Sequence, residues 1–305
     1  MTFDVVFLGT GAAIPVPSRG TTSQFVDIHG HSYLIDAGEG VQLSLRKHRR
    51  RFQKLKGIFI SHMHGDHVLG LPGLLSTMSL LGRNEPIDIW GPPALETWMA
   101  QTWKSIECHM NFLVNFNCWS DSESVVLFES DRYRLTSFPV KHRIACCGLK
   151  IEEHSLPWRL DGEKAKSAGL PYQIRQQLKR GGETLFDGQI LEPSRWCTPP
   201  PKARSYVYAA DTRPCEKVLL ASKNVTVLYH DATFVEADAD KAKSTYHSTS
   251  LECARLAAQA NVDTLILGHI SLRYKDTRKL LEEAKTMHAN VIAAEDGMVC
   301  SVDWS

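Results

Sequence analysis

The chain has 305 residues, with 35 Lys and Arg against 34 Asp and Glu, for a formal charge of +1. Hydrophobic residues are 43% of it and charged residues 23%, which excludes a disordered polyelectrolyte and leaves global charge silent about nucleic acid. No apolar run reaches the roughly 18–20 residues that span a bilayer, and Asp4 with no preceding basic residue makes a poor secretory signal, so a cytoplasmic protein with no membrane partner is expected. The eight cysteines form no CxxC pair, so reduced, mostly buried thiols are expected rather than a disulfide framework.

Residues 3–8 are apolar and β-branched and stop at Gly9-Thr10-Gly11, a strand entering a loop. Ser23–Ile28 and Ser32–Ile35 read as a hairpin turning near His29-Gly30. Residues 36–40 are a loop, and Val41–Phe52 reads as a helix with a basic end. Between Arg46 and Lys56 lie seven Lys or Arg and no acid, read as the charged face of that helix. Gly57–Ile60 is a short buried strand, Leu69–Leu81 a helix, Ile87–Trp90 a strand and Ala94–Ser105 a helix. Strands follow at 124–128 and 132–140. From about 153 to 196 the chain is rich in Lys, Arg, Gly and Pro, and Pro199-Pro200-Pro201 closes the segment, which reads as an insertion. Strand and helix signals resume at 205–209, 226–229, 250–260, 264–267, 276–288 and 291–294. Alternation on both sides of the insertion predicts α/β or α+β layers in one domain over 1–305.

The densest chemistry is Ser61-His62-Met63-His64-Gly65-Asp66-His67, at the end of a buried strand. Alternate residues of an extended chain point the same way, so His62 and His64 can converge on one ion. Gly65 then redirects Asp66 and His67 toward a neighbouring point. Neutral imidazole with carboxylate suits Zn²⁺, and also Mn²⁺ or Fe²⁺. Other donors must come from elsewhere, and His142, Asp211 and His269 each stand just past a strand. His29-Gly30-His31 copies the HxH spacing but lies in a predicted turn and is set aside.

With Phe7–Pro15, Leu34–Gly40, the HxHxDH cluster, Ala210–Arg213, His230-Asp231-Ala232-Thr233, Tyr246–Thr249 and Gly268–Tyr274 in order, the chain resembles the metallo-β-lactamase superfamily and, within it, the ribonuclease Z family of tRNA 3′-processing endonucleases. The resemblance covers most of the chain. It implies an αββα sandwich of two sheets flanked by helices, and two Zn²⁺ per subunit. One ion would take His62, His64, His142 and Asp211, the other Asp66, His67, His269 and the bridging Asp211. Asp66 would accept the nucleophile's proton, and His247, oriented by Asp231, would protonate the leaving oxygen. The family has Glu where this chain has Asp231, one methylene shorter.

The resemblance further implies that the insertion is an arm gripping precursor tRNA, with Arg175, Lys179 and Arg180 available to phosphates, and that the protein is a homodimer cytoplasmic in location. The arm departs from the family at Pro171–Ile174, where a Gly-Pro pair is usual. Three rivals stand beside this reading. A small-molecule phosphodiesterase would use the same site without the arm. A lactonase or thioesterase has no use for His247 and its partner. An RNA-binding module would leave the seven donor positions dispensable.

Overall fold

A computed structural model describes residues 2–303, which divide into two compact units: 2–152 with 205–303, and 153–204. In chain order the strands are β1 Phe3–Gly9, β2 Ser23–Ile28, β3 His31–Ile35, β4 Leu55–Phe59, β5 Ile87–Gly91, β6 Val114–Cys118, β7 Val125–Glu129, β8 Tyr133–Pro139 and β9 Cys147–Glu153. The smaller unit contributes β10 Arg159–Leu160, β11 Thr184–Phe186, β12 Gln189–Leu191 and β13 Cys197–Thr198. The larger unit then adds β14 Ser205–Ala209, β15 Val227–Asp231, β16 Thr264–Gly268, β17 Val291–Ala293 and β18 Val299–Ser301.

In the larger unit these strands make two seven-stranded mixed sheets, ordered β18-β1-β2-β3-β4-β5-β6 and β17-β16-β15-β14-β9-β8-β7. The strand pattern explains the layers. In β1, Val5 and Phe7 point inward and meet Tyr208 and Tyr229 of the other sheet, while Val6 and Leu8 point outward. The outward set is covered by α1 Val41–Lys47, α3 Leu71–Leu80 and α4 Ala94–Ser105, the short α2 Gly65–Val68 lying between the first two. Helices α5 Gly162–Ser167, α6 Tyr172–Lys179 and α7 Pro193–Trp196 belong to the smaller unit. Then α8 Glu216–Ala221, α10 Ser250–Gln259 and α11 Arg278–Lys285 cover Val207, Leu228, Leu265 and Leu267 of the second sheet, with α9 Ala239–Thr245 between α8 and α10 in sequence. This is the αββα sandwich, with both sheets buried on both faces and strands that are accordingly near-continuously apolar.

Two helix expectations need correction, and some strands were not expected at all. The helix expected over Val41–Phe52 ends at Lys47, because Arg49 adopts a left-handed φ of 54° and Arg50 N–H closes back on Leu45 C=O at 2.8 Å. This is a helix stop of the kind glycine usually provides. Phe52 then enters a 3₁₀ turn and buries against the core. The helix expected over Leu69–Leu81 starts later, as α3 at Leu71, and Leu69-Gly70 separates it from the short α2, which lies within the His62 segment and was not expected. A Cβ on Gly70 would meet Gly38 O at 2.1 Å, so the close approach requires glycine there. Strands β6, β9 and β18 were unannounced: β6 and β18 are sheet edges, and the Asn115 and Asn117 alternation in β6 reads as loop, whereas β9 lies inside its sheet with Lys150 and Glu152 interrupting its apolar positions. Of the eight cysteines, all free, four are buried, three half-buried and Cys118 exposed.

The smaller unit, 153–204, has a core of its own. Ala165, Leu170, Leu178, Leu191 and Cys197 are buried, with Trp158, Ile174 and Phe186 against them. It runs past Trp196 through the triple proline to Arg204, whose guanidinium pairs with Glu153 at 2.6 Å. Within it Arg175 Nε donates to Leu170 O at 2.6 Å, Lys179 is half-buried and Arg180 exposed.

Candidate active site

Six strands of the larger unit end at one edge of the sandwich. Asp36 follows β3, the His62 segment follows β4, His142 follows β8, Asp211 follows β14, Asp231 ends β15 and His269 follows β16. Ligands gather at this edge in open α/β sheets because the loops, not the strands, are free to carry chemistry. Asp36, Asp211 and His269 hold left-handed φ values of 57°, 50° and 53°. Non-glycine residues rarely sit there, and such positions cluster at functional sites.

All seven expected donors meet. Ligand atoms of His62, His64, His142 and Asp211 lie within 4.8 Å of one another, as do those of Asp66, His67 and His269. Asp211 faces both sets. Its Oδ2 is 3.5 Å from His62 Nε2 and 3.8 Å from His142 Nε2, while its Oδ1 is 3.2 Å from His67 Nε2 and 3.0 Å from His269 Nε2. Asp66 Oδ2 stands 3.6 Å from His67 Nε2 and 3.4 Å from His269 Nε2, and accepts Ala13 N–H at 2.9 Å. His64 Nδ1 is 2.9 Å from His62 Nε2 and 3.2 Å from His142 Nε2.

This donor set fits divalent cations. His67 Nε2 and Asp211 Oδ1 are buried and close no hydrogen bond, an expensive arrangement unless a cation satisfies them. Burial pushes His62 and His64 below the ordinary imidazole value and His142 to about 4, so these three present lone pairs at neutral pH. Burial opposes ionisation of Asp66 and Asp211, yet the charges of His67 and His269 overcome it and hold both carboxyls below the usual range. The same carboxylates outweigh burial at His67, raised well above its ordinary value, and at His269, raised to about 10. Protons there do what a cation would do, and cation binding would displace them.

The second nitrogen of each buried ring is held. His67 Nδ1 meets Asp36 Oδ2 at 2.7 Å, His269 Nδ1 meets Thr233 Oγ1 at 2.9 Å, His62 Nδ1 meets Ser61 Oγ at 3.0 Å, and His142 Nδ1 faces Tyr246 O at 3.3 Å. Such partners fix ring orientation and tautomer. Neither Asp36 nor Thr233 stands out in the sequence as a functional residue. The available signal for Asp36 was its position, an Asp just past a buried strand like Asp211. Gly268 is required by the same packing. A Cβ there would sit 1.9 Å from the Tyr229 ring, whose hydroxyl accepts His269 N–H at 3.1 Å.

His247 stands beside the donors, its ring stacked on His269 at 5.1 Å and 5.4 Å from His142. Its Nδ1 meets Asp231 Oδ2 at 2.8 Å, so the shorter carboxylate reaches the imidazole directly. Asp231 also accepts Thr212 N–H and Thr233 N–H at 3.0 Å and Thr233 Oγ1 at 2.7 Å. Burial opposes its ionisation, but His247 holds its pKa down. An open cleft of about 620 Å³, lined by His64, Asp66, Asp211, Phe234, His247 and His269, gives access. His29 and His31 are elsewhere: His31 Nδ1 meets Tyr133 OH at 2.7 Å.

Comparison with known proteins agrees with this architecture. Residues 3–156 match the family described as "Anti-Pycsar protein Apyc1", a match that includes the HxHxDH segment and His142 and ends before Asp211, Asp231, His247 and His269. Over 301 residues the chain is 36% identical to a ribonuclease Z of Parabacteroides distasonis, covering 98% of this chain and 99% of that protein. In structure it is similar to human tRNase Z, short form, with a TM-score of 0.71 and 26% identity over 98% of this chain and 99% of that one. The metallo-β-lactamase fold protein YhfI from Bacillus subtilis shares the fold at a TM-score of 0.70 and 19% identity, covering 99% of this chain and 100% of that one. Likeness that runs through both halves, residues 153–204 and the His247 segment included, decides between these relatives: the chain belongs to the ribonuclease Z family of metallo-β-lactamase-fold hydrolases.

Proposed function

We propose that the chain is a zinc-dependent endoribonuclease that removes the 3′ trailer from precursor tRNA, leaving a 3′-hydroxyl on the tRNA and a 5′-phosphate on the trailer. The observation that carries this reading is the Asp211 carboxylate, one oxygen toward each donor set, with the His247–Asp231 pair beside it. His62, His64, His142 and Asp211 would hold one ion, and Asp66, His67, His269 and Asp211 a second. Two divalent ions there would supply Lewis-acid charge to the phosphate and lower the pKa of water.

The chain's own groups do the rest. Asp66, held by Ala13 N–H, takes the proton of the attacking water. Asp231 occupies His247 Nδ1, which leaves Nε2 to deliver a proton to the departing 3′-oxygen. Phe234, Ile14 and Leu69 line the cleft beside the reacting phosphate. In the smaller unit, Arg175, Lys179 and Arg180 are proposed phosphate contacts, which position RNA rather than read it. The absence of disulfides among eight cysteines suits a reducing, cytoplasmic setting. No helix among the described residues is long and apolar enough to cross a membrane. The homodimer is carried by the family resemblance, and sedimentation of the purified chain tests it.

A small-molecule phosphodiesterase is the second reading, because the two donor sets and the His247–Asp231 pair would serve a small phosphodiester equally well. The deciding experiment is cleavage of an end-labelled, 3′-extended precursor tRNA by zinc- or manganese-loaded protein. A single cut near the end of the acceptor stem, lost in His247→Ala, supports the first reading. Hydrolysis of bis(p-nitrophenyl) phosphate without any RNA cleavage would replace it with the second.

A further inference from the structure

One three-residue segment joins every part of the site. Asp211 faces both donor sets. Thr212 N–H donates to Asp231, and its carbonyl accepts Ser248 Oγ at 2.5 Å. Arg213 N–H donates to Lys141 O at 2.9 Å, next to His142. The Arg213 guanidinium reaches across to the proton-donor loop: Nη1 donates to the backbone carbonyl of His247 itself at 2.7 Å. The same guanidinium forks onto Glu252, Nη1 to Oε2 at 2.8 Å and Nη2 to Oε1.

Glu252 is not free to move. Its carboxylate accepts Thr249 N–H at 2.9 Å, and Thr249 Oγ1 accepts Glu252 N–H at 3.2 Å, the reciprocal cap that starts α10 two residues after His247. The turn that leads from α9 into His247 contains Tyr246 at a left-handed φ of 63°, a conformation the surroundings must hold. Arg213 and Glu252 are about one-fifth exposed, so the pair is partly shielded from solvent.

We infer that Arg213 is a positioning residue for proton donation by His247. Asp231 orients the imidazole ring, whereas Arg213, braced by Glu252, fixes the backbone on which the ring rides relative to the Asp211 loop. The inference rests on the proton-donor role proposed above. Misplacement by about 1 Å costs on the order of 100-fold in rate, and the cost falls on the step that needs the proton. Lysine would keep one donor to the His247 carbonyl but lose the planar fork onto Glu252, so it rescues in part.

The test compares two leaving groups. In precursor tRNA the 3′-oxygen departs as an alkoxide that needs a proton, whereas p-nitrophenolate leaves without one. Arg213→Gln, Arg213→Lys and Glu252→Gln are assayed on both substrates, with zinc content and thermal melting measured alongside. Arg213→Gln is expected to lower kcat on precursor tRNA by about 30–100-fold with KM within about threefold. Hydrolysis of bis(p-nitrophenyl) phosphate and zinc content should change by less than about threefold. Arg213→Lys should recover part of the loss. In a His247→Ala background the substitution should cost nothing further, because groups acting through one step are non-additive.

Equal losses on both substrates, an undiminished loss in the His247→Ala background, or no loss at all would each overturn the inference. Should Arg213→Gln fail to fold, Arg213→Lys and Glu252→Gln carry the same comparison. Should the wild type leave precursor tRNA uncut, the RNA reading fails by itself, and an alkyl nucleoside diester set against the aryl diester still decides the role of Arg213.

Discussion

Asp36 touches no substrate position, yet it should control one of the two proposed cation sites. Its Oδ1 accepts Ser61 N–H at 2.7 Å, and its Oδ2 accepts Ser61 Oγ at 2.8 Å, Tyr208 OH at 2.5 Å and the His67 Nδ1 proton at 2.7 Å. Asp36→Asn keeps size and also tolerates the left-handed backbone there. With the amide oxygen on Ser61 N–H, the NH₂ faces His67 Nδ1 and must donate to it. The imidazole proton then moves to Nε2, the atom aimed at Asp211, and blocks its lone pair. Loss of such an outer partner typically costs 10–100-fold in metal affinity, about 1.4–2.7 kcal/mol. The loss should fall mainly on the His67 site, since Asp36 meets His67 directly and reaches His62 only through the Ser61 hydroxyl. Competition titration of zinc against a chromophoric chelator, fitted to two sites, reads this directly. Two sites each within twofold of wild type in a folded Asp36→Asn protein, or weakening of the His62 site instead, would refute the reasoning.

Gly268→Ala puts a methyl 1.9 Å from the Tyr229 ring. Overpacking of this kind costs about 1–3 kcal/mol; urea unfolding should show it, and zinc binding through His269 should weaken with it. Burial disfavours ionisation of Glu152, but Lys150 at 3.1 Å and Arg134 at 3.1 Å hold its carboxyl below the ordinary value. A depressed carboxyl stabilises the fold above its unfolded pKa and loses that contribution as pH falls through the folded value. The deficit of Glu152→Gln in chemical denaturation should therefore be full at pH 6 and shrink toward pH 3; a deficit independent of pH would contradict the assignment.

How much of this was legible depends on chain distance. The His62 cluster lies within six residues after a continuous apolar strand, so spacing alone announces it. His142, Asp211 and His269 were visible as polar residues just past strands, but their convergence depends on β8, β14 and β16 ending at one edge, which is a property of the sheet order. The division of Asp211 between two donor sets is a matter of side-chain orientation on a left-handed backbone, and no periodicity encodes it. Asp36 hid in a loop because its partners, Tyr208 and His67, are 172 and 31 residues away. Arg49 ended α1 without the glycine that usually marks such a stop. The smaller unit's core is spread over short elements from Ala165 to Cys197, too sparse to register as apolar runs.

The smaller unit offers the sharpest separation of the two functional readings, because the fold allows its removal. Glu152 and Ser205 are directly paired across antiparallel β9 and β14, so their Cα atoms lie about 4.5–5.5 Å apart. Replacing 153–204 with a two-residue Asn-Gly turn should close a hairpin of ordinary geometry. The excision removes Glu153 together with Arg204, so their buried ion pair leaves no uncompensated charge behind. The three apolar clusters of the larger unit contain none of the excised residues. The variant should fold and hydrolyse bis(p-nitrophenyl) phosphate within about threefold of wild type. If the unit holds precursor tRNA, RNA cleavage should fall by about 100-fold or more at physiological salt, mainly through KM. The salt dependence of KM should flatten by roughly one unit of log–log slope for each phosphate that the unit no longer neutralises. Unchanged RNA cleavage would remove the unit from substrate binding. A wild type that cuts only the small diester, with or without residues 153–204, would assign the site to a small-molecule phosphodiesterase.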